Sequence, residues 1–172
     1  MGPLELRPYE STGWYRKRKP RRQRATYRRL QGTEQFLGFY DVHGDCLVGQ
    51  VRKRKTHRDL LAAFERLRTC YPREQTIYLV MDNLNTHRHA RLRAFYAENK
   101  IEPVWTPTYS SWLNAIEAHF GGIRKFTIAG SDDASHQCRR RRIQRYLTWR
   151  NRAHGARACP LARYRYNKLD RH

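Results

Sequence analysis

Acidic residues are the scarce charged groups of this chain. Only 15 Asp and Glu stand against 36 Lys and Arg in 172 residues, which gives a formal charge of +21 and an isoelectric point near 10.7. That shortage argues against a basic or cationic partner and favours a polyanion, held through phosphate contacts and counterion release. Long apolar runs are missing as well. No segment reaches the roughly 18 apolar residues that a membrane span needs, and no signal-peptide core is visible, so a soluble cytoplasmic protein without a membrane partner is expected. Paired cysteines are absent too. Cys46, Cys70, Cys138 and Cys159 form no C-x-x-C pair, which argues against structural zinc and for free thiols in a reducing compartment. The 39% hydrophobic content and mean hydropathy of −0.96 are low for a globular chain, largely because of the arginines. The length still suits one domain with a real core, and no internal repeat is present.

What the chain does contain divides into three parts. Residues 1–32 form a basic and largely irregular arm, punctuated by Gly2, Pro3, Pro8, Gly13 and Pro20. Its cationic run includes Arg16, Lys17, Arg18, Lys19, Arg21, Arg22 and Arg24, candidate DNA-backbone contacts, although a solvated arm would have the same composition. Residues 33–151 carry the periodic segments. Two strand-like runs, Thr33 to Tyr40 and Cys46 to Val51, are joined by a short Gly-containing loop and read as a hairpin. Arg52, Lys53, Arg54 and Lys55 form a second cationic patch. The spacing of Leu60, Leu61, Phe64 and Leu67 then predicts an amphipathic helix over 57–69. Thr86 is the expected N-cap of a helix running to about Asn99 and buried through Leu92 and Phe95. With strands at 77–81 and 101–105 on either side, that helix makes a crossover between parallel neighbours. A last helix is expected over about 134–151, and residues 152–172 form a loose basic tail.

Two of the few acids sit where chemistry is usually placed. The apolar run Ile77 to Met81 ends at Asp82-Asn83, so Asp82 lies at a strand's carboxyl end, where ligands of open α/β sheets gather. Trp112 to Phe120 has helical spacing, and Asn114 and Glu117, three apart, share a neighbouring face. Gly121-Gly122 is a candidate break in that helix, and Trp112 reads as a packing anchor for it. Positions 83 to 116, 34 residues, separate the two carboxylates. The bland alternatives stand beside these readings: Asp82 as a turn-capping Asx residue, Glu117 as a solvated helix position, and His87 as a helix-start histidine.

Val80-Met81-Asp82-Asn83-Leu84-Asn85-Thr86-His87, Pro107 to Asn114, and Ile116-Glu117 resemble the second and third catalytic blocks of DDE transposases, closest to the mariner-like bacterial insertion-sequence group. Weaker similarity runs from Gly2 to about Asn151. The resemblance implies an α/β fold: a ribonuclease H-like, retroviral integrase-like mixed sheet flanked by helices. It implies Asp82 and Glu117 as catalytic metal ligands for two Mg²⁺ (or Mn²⁺) ions, supported by Asn83, His87 and Asn114. Two such ions activate a water or 3′ hydroxyl and stabilise the leaving oxygen. It further implies DNA as partner, both transposon ends and target, with Arg124 and Lys125 among the contacts, a homodimer on DNA, and a bacterial, nucleoid-associated location.

The same resemblance points to something missing. Relatives carry a third acidic residue on a first strand, immediately before the segment resembling Gly2 to Leu6, and that place is Met1 here. The domain is therefore expected to lack its first strand and first catalytic Asp as an N-terminally truncated form, leaving the partner strand's edge open. Asp41 and Asp45 are the nearest substitutes. The alternative reading is a catalytically inactive, basic DNA-binding remnant of a transposase.

Overall fold

The computed structural model describes residues 1–10, 32–108, 110–155 and 159–164. Its centre is a hairpin with apolar side chains on both faces. Strand β2 (Thr33–Asp41) pairs antiparallel with β3 (Cys46–Arg52), from Gln35 opposite Arg52 to Asp41 opposite Cys46. The turn between them is stabilised by Asp41 Oδ1, which accepts the N–H groups of His43 and Gly44 at 2.9 Å each. Because side chains alternate along a strand, Leu37, Phe39, Cys46 and Val48 enter one core, whereas Phe36, Leu47 and Val51 enter another. Covering both faces with helices accounts for the near-continuous apolar character of β3.

Helix α1 (His57–Cys70) covers the first face. Thr56 and Asp59 form a reciprocal capping box at its start, which satisfies backbone donors that the first turn leaves free. Leu60, Ala63, Phe64 and Leu67 are its buried stripe. Strand β4 (Ile77–Met81), helix α2 (Ala90–Glu98) and strand β5 (Ile101–Trp105) follow, with β4 and β5 parallel and in register from Ile77–Ile101 to Met81–Trp105. Helix α3 (Ile116–Ile123), the wider helical turn of residues Arg124–Ile128, and helix α4 (His136–Ala153) close the other face through Phe120, Ile123, Ile128, Ile143 and Leu147.

The expected mixed sheet is present in two parts. A two-residue strand, β1 (Leu4–Glu5), pairs antiparallel with Glu34 and Thr33, so a three-stranded sheet of order β1-β2-β3 lies apart from the β4-β5 pair. Residues 1–10 are tied to the domain, with Phe36 and Met1 exchanging main-chain bonds and Tyr9 N–H donating to Ser131 O at 2.9 Å.

Several local expectations are corrected. Thr86 is not an N-cap: residues Asn85–Arg88 make a tight turn, and His89 caps α2 by accepting from the Arg91 N–H. Tyr96 joins Leu92 in the core, and Phe95 is partly buried against it. The helix carrying Glu117 begins at Ile116, leaving Asn114 outside it, and it passes through Gly121 and Gly122 without breaking. Trp112 is 72% exposed and so is not the packing anchor expected. Within the tail expected to be loose, a short turn at Pro160–Arg163 buries Leu161 under α1, between flanking Cys159 and Tyr164.

The run Arg139 to Arg142 is in part a structural device. Arg139 is fully buried, donating to Asp133 Oδ2 at 3.0 Å and to the Glu5 carbonyl with its guanidinium over the Tyr9 ring, while Arg140 pairs with buried Glu34. Burial of these charges is tolerable because each is paired.

Replacing Leu161 by Ala is expected to lower stability by about 2 to 5 kcal/mol in urea unfolding, as for other fully buried leucines. A change below about 0.5 kcal/mol, the level of ordinary surface substitutions, would show that the turn is not part of the core.

Candidate functional site

Between the two sheets lies a groove of about 1210 Å³, and Asp82, His87, Asn114 and Glu117 all line it. Asp82 follows the last residue of β4, at the point where the Thr106 N–H closes the parallel ladder on Met81 O at 2.9 Å. His87 is brought beneath it by the turn at Asn85–Arg88. Its Nδ1 bonds Asp82 O at 3.3 Å and passes 3.1 Å from Asp82 Oδ1, a solvent-shielded oxygen with no full hydrogen bond among the described residues. Burial, and then the nearby Lys55 charge, push the His87 pKa down against the pull of Asp82, so the ring is neutral at pH 7. Facing two oxygens, Nδ1 is the nitrogen that carries the proton.

Glu117 occupies the first turn of α3. Two contacts set that helix against the sheet. Phe120, one turn further on, meets Phe36 of β2 edge to face, with centroids 6.2 Å apart and planes at 89°. Asn114 supplies the second link: its side-chain nitrogen donates to Val80 O at 3.5 Å, while its own carbonyl accepts the Glu117 N–H at 2.9 Å. Asn114 therefore ties the strand leading to Asp82 to the turn bearing Glu117. Asn83 lies outside the groove lining and holds the loops behind it, donating to Thr106 O at 2.5 Å and accepting from Arg88.

Met1 lines the same groove as Asp82 and Glu117. Its amino group donates to Phe36 O at 2.9 Å, and the pKa of that amine is lowered from 8.0 to about 6 by burial and by Lys55 and Arg124, while Glu117 and Asp82 pull it upward. Among the described residues, no group of three or more His, Cys, Asp or Glu is arranged to hold a metal ion. Asp82 and Glu117 are hard oxygen donors of the kind Mg²⁺ or Mn²⁺ takes, so the donor set fits in kind and falls short in number.

Asp41 and Asp45 do not make up the shortfall. Asp41 is held by Tyr71 OH at 2.8 Å, Cys159 Sγ at 3.3 Å and the turn N–H groups; burial alone would raise its pKa, but these bonds hold it below the usual value. Asp45 is engaged by Tyr40 OH at 2.9 Å, by Arg150 and by His154.

The cationic candidates are scattered. Arg16, Lys17, Arg18, Lys19, Arg21, Arg22 and Arg24 lie outside the described residues. Lys53 and Arg54 are exposed, as are Arg124 and Lys125 just after α3. Arg52, half-buried at the end of β3, bonds Gln50 Oε1 at 3.4 Å. Lys55 departs most from its patch, because it lines the groove and acts on Met1 and His87. Its charge made it visible in the sequence, but nothing in a run of four cations marks the one that turns inward.

Carboxylates at a strand's end and on a facing helix, directed into one groove of an α/β domain, are the arrangement of a ribonuclease H-like catalytic domain. The chain belongs to the DDE superfamily endonucleases, whose family model matches residues 3–136. It is 33% identical over 94 residues to the insertion element IS630 uncharacterized 39 kDa protein of Shigella sonnei, a match over 54% of this chain and 25% of that protein. Among solved structures it resembles the Mos1 strand transfer complex, with TM-score 0.60 and 12% identity over 96% of this chain and 53% of that one. It also resembles the HTLV-2 integrase catalytic core domain in complex with magnesium, with TM-score 0.51 and 12% identity over 69% of this chain and 74% of that one. The chain thus spans a quarter of the curated relative and about half of the Mos1 chain.

The lowered pKa values of the Met1 amine and of His87, two of several lowered groups, predict a stability profile. A base whose folded pKa is depressed is protonated first in the unfolded state, so its contribution is complete above the unfolded pKa and is lost as pH falls. The midpoint of thermal unfolding should therefore drop as pH falls from 8 toward 6, where the Met1 amine takes up a proton, and drop further below about 6.5 as His87 does. Acetylating the N-terminus should remove the upper part of that decline in a calorimetric pH series, and a decline unchanged by acetylation would refute the assignment to Met1.

Proposed function

We propose that the chain is the catalytic domain of a DDE-type transposase, made to cleave DNA and transfer strands in transposition, with Asp82 and Glu117 as its metal-ligating carboxylates. The observation that carries this reading is their shared placement on one groove, linked through Asn114. His87 orients Asp82, and Asn114 spaces the two elements. Membership of the DDE superfamily endonucleases and likeness to the IS630 protein support the same reading. Two carboxylates are a partial donor set, so metal-dependent activity requires a further oxygen ligand beyond those that the described residues place on the groove.

DNA fits as the partner because exposed Lys53, Arg54, Arg124 and Lys125 accompany a charge of +21. The arm from Arg16 to Arg24 belongs with them in this reading. A homodimer on DNA and a bacterial, nucleoid-associated location go with it, and no helix among the described residues is long and apolar enough to cross a membrane.

A second reading, a basic DNA-binding remnant without catalysis, is favoured by the described residues' holding no group of three or more His, Cys, Asp or Glu arranged to hold a metal ion. Nicking of supercoiled plasmid in Mg²⁺ or Mn²⁺ separates the two. Metal-dependent nicking that Asp82→Asn and Glu117→Gln abolish supports the catalytic domain, and His87→Ala should then reduce the rate about 10- to 100-fold, as for other groups that orient a ligating carboxylate. Salt-sensitive binding without nicking, alike in wild type and variants, supports the remnant. In either case the double change Arg124→Ala and Lys125→Ala should lower the slope of log affinity against log salt by about 0.9 for each phosphate contact removed.

A further inference from the structure

Away from the groove, three aromatic rings form one surface between α4 and the wider turn that continues α3. Phe126 and Tyr146 stack with centroids 5.6 Å apart and planes at 17°, and Trp149 adjoins both, 6.2 Å from Phe126 and 5.9 Å from Tyr146. Two local features set them there. The turn at Arg124–Ile128, closed by the Ala129 N–H on Arg124 O at 2.8 Å, widens the helix so that Thr127 and Ile128, rather than Phe126, follow Ile123 into the interior. Gly122 leaves room for the Tyr146 ring against α3, because a Cβ there would come within 2.5 Å of the Tyr146 hydroxyl oxygen. A staple between two helices would bury such rings. Here Phe126 is 59% and Trp149 58% exposed, while Ile123, Ile143 and Leu147 already fill the core of this face. None of the three rings lines the groove. Adjoining exposed aromatics, unlike single ones, mark a contact surface.

We propose that this surface binds an unpaired DNA strand, with successive bases stacked on Phe126, Tyr146 and Trp149 and the phosphates held by Lys125 and Arg145. The charge around the rings selects that occupant. Helix α4 carries seven arginines and no Asp or Glu. Arg139, Arg140, Arg142 and Arg150 are engaged with Asp133, Glu34 and Asp45, whereas Arg141, Arg145 and Arg152 are exposed. Arg145 lies four positions before Trp149 and so shares its side of the helix. On the other side of the rings, Lys125 holds its ammonium 5.8 Å from the centre of Phe126. Flat rings beside cations are the components of a single-strand platform, since every base has a face to stack and every nucleotide a phosphate to hold. A duplex offers this surface its phosphates alone, because its bases already stack on one another. A second copy of the chain would bring the same arginines to meet these, and like charges repel. The choice of DNA rests on the proposed function, but the site uses neither metal nor Asp82 and Glu117.

The test uses the full chain in EDTA, which stops metal-dependent cleavage, and fluorescein-labelled DNA of about 12 nucleotides as a single strand, as its duplex and as the matching RNA strand. Anisotropy titrations at fixed salt give the affinities, and quenching of tryptophan fluorescence reports stacking. Trp149→Ala and Phe126→Ala are each expected to weaken single-strand binding at least about fivefold while duplex binding stays within about twofold, which also shows that the variants fold. Trp149→Phe, which keeps a stacking ring, should retain the single-strand affinity and lose part of the quenching. Equal losses with single strand and duplex, no loss with either, quenching undiminished in Trp149→Phe, or tighter binding of RNA than of DNA would overturn the proposal. So would a dimer in sedimentation that Trp149→Ala dissociates, because a second copy would then cover the rings. Plasmid nicking in a chain whose single-strand affinity ignores these substitutions would remove this inference and keep the nuclease reading. Ring-dependent strand binding by a chain that never nicks would do the reverse.

Discussion

The position of Glu117 depends on an aromatic contact made by residues that have no chemistry of their own. Phe36 can lie over the hairpin and meet Phe120 because Gly38 and Gly49 stand opposite each other in the register close to its ring. A Cβ on Gly49 would come within 2.5 Å of the Phe36 ring and of Leu37 O, so that pair cannot carry side chains without displacing the ring. Helix α3 is held against β2 by that ring, and Glu117 is one turn from it. The Asn114 bond to Val80 O then relates α3 to the other sheet. Removing either contact leaves both carboxylates in the chain and takes away their common orientation.

Charge is distributed by the same economy of burial. The excess of cations reads at first as a surface property, but some of it is interior. Arg139 and Arg150 are buried on α4, and Arg68 is buried at the end of α1, where it donates to the carbonyls of Gln75 and Asn99 and so ties the helix to the start of both parallel strands. Each buried guanidinium has carboxylate or carbonyl partners, which is the condition for keeping a charge out of water. Since several acids are used in this way, Asp133 and Glu34 among them, fewer remain for a catalytic site than the composition suggests.

Much of the fold was legible in the chain. The hairpin, the α1 stripe and the β4-α2-β5 crossover follow from periodicities of 2.0 and 3.6, which are local properties. The ordered Asp82 and Glu117 blocks pointed to the DDE superfamily before any fold was known. The misread stretches were those in which neighbours overrule propensity. His89 replaced Thr86 as a cap because a tight turn intervenes, Gly121 and Gly122 stayed helical because Ile123 and Phe120 pack on either side, and the tail turn at Leu161 gained order only from the α1 surface.

The amino-acid sequence alone determined the elements, the strongly cationic character and the two acidic positions, because hydrophobic period, charge and motif spacing are written along the chain. Tertiary structure alone decided that Lys55 turns inward and that Asp41 and Asp45 are consumed by their neighbours. Those outcomes depend on distances between residues far apart in the chain, and no local pattern encodes them.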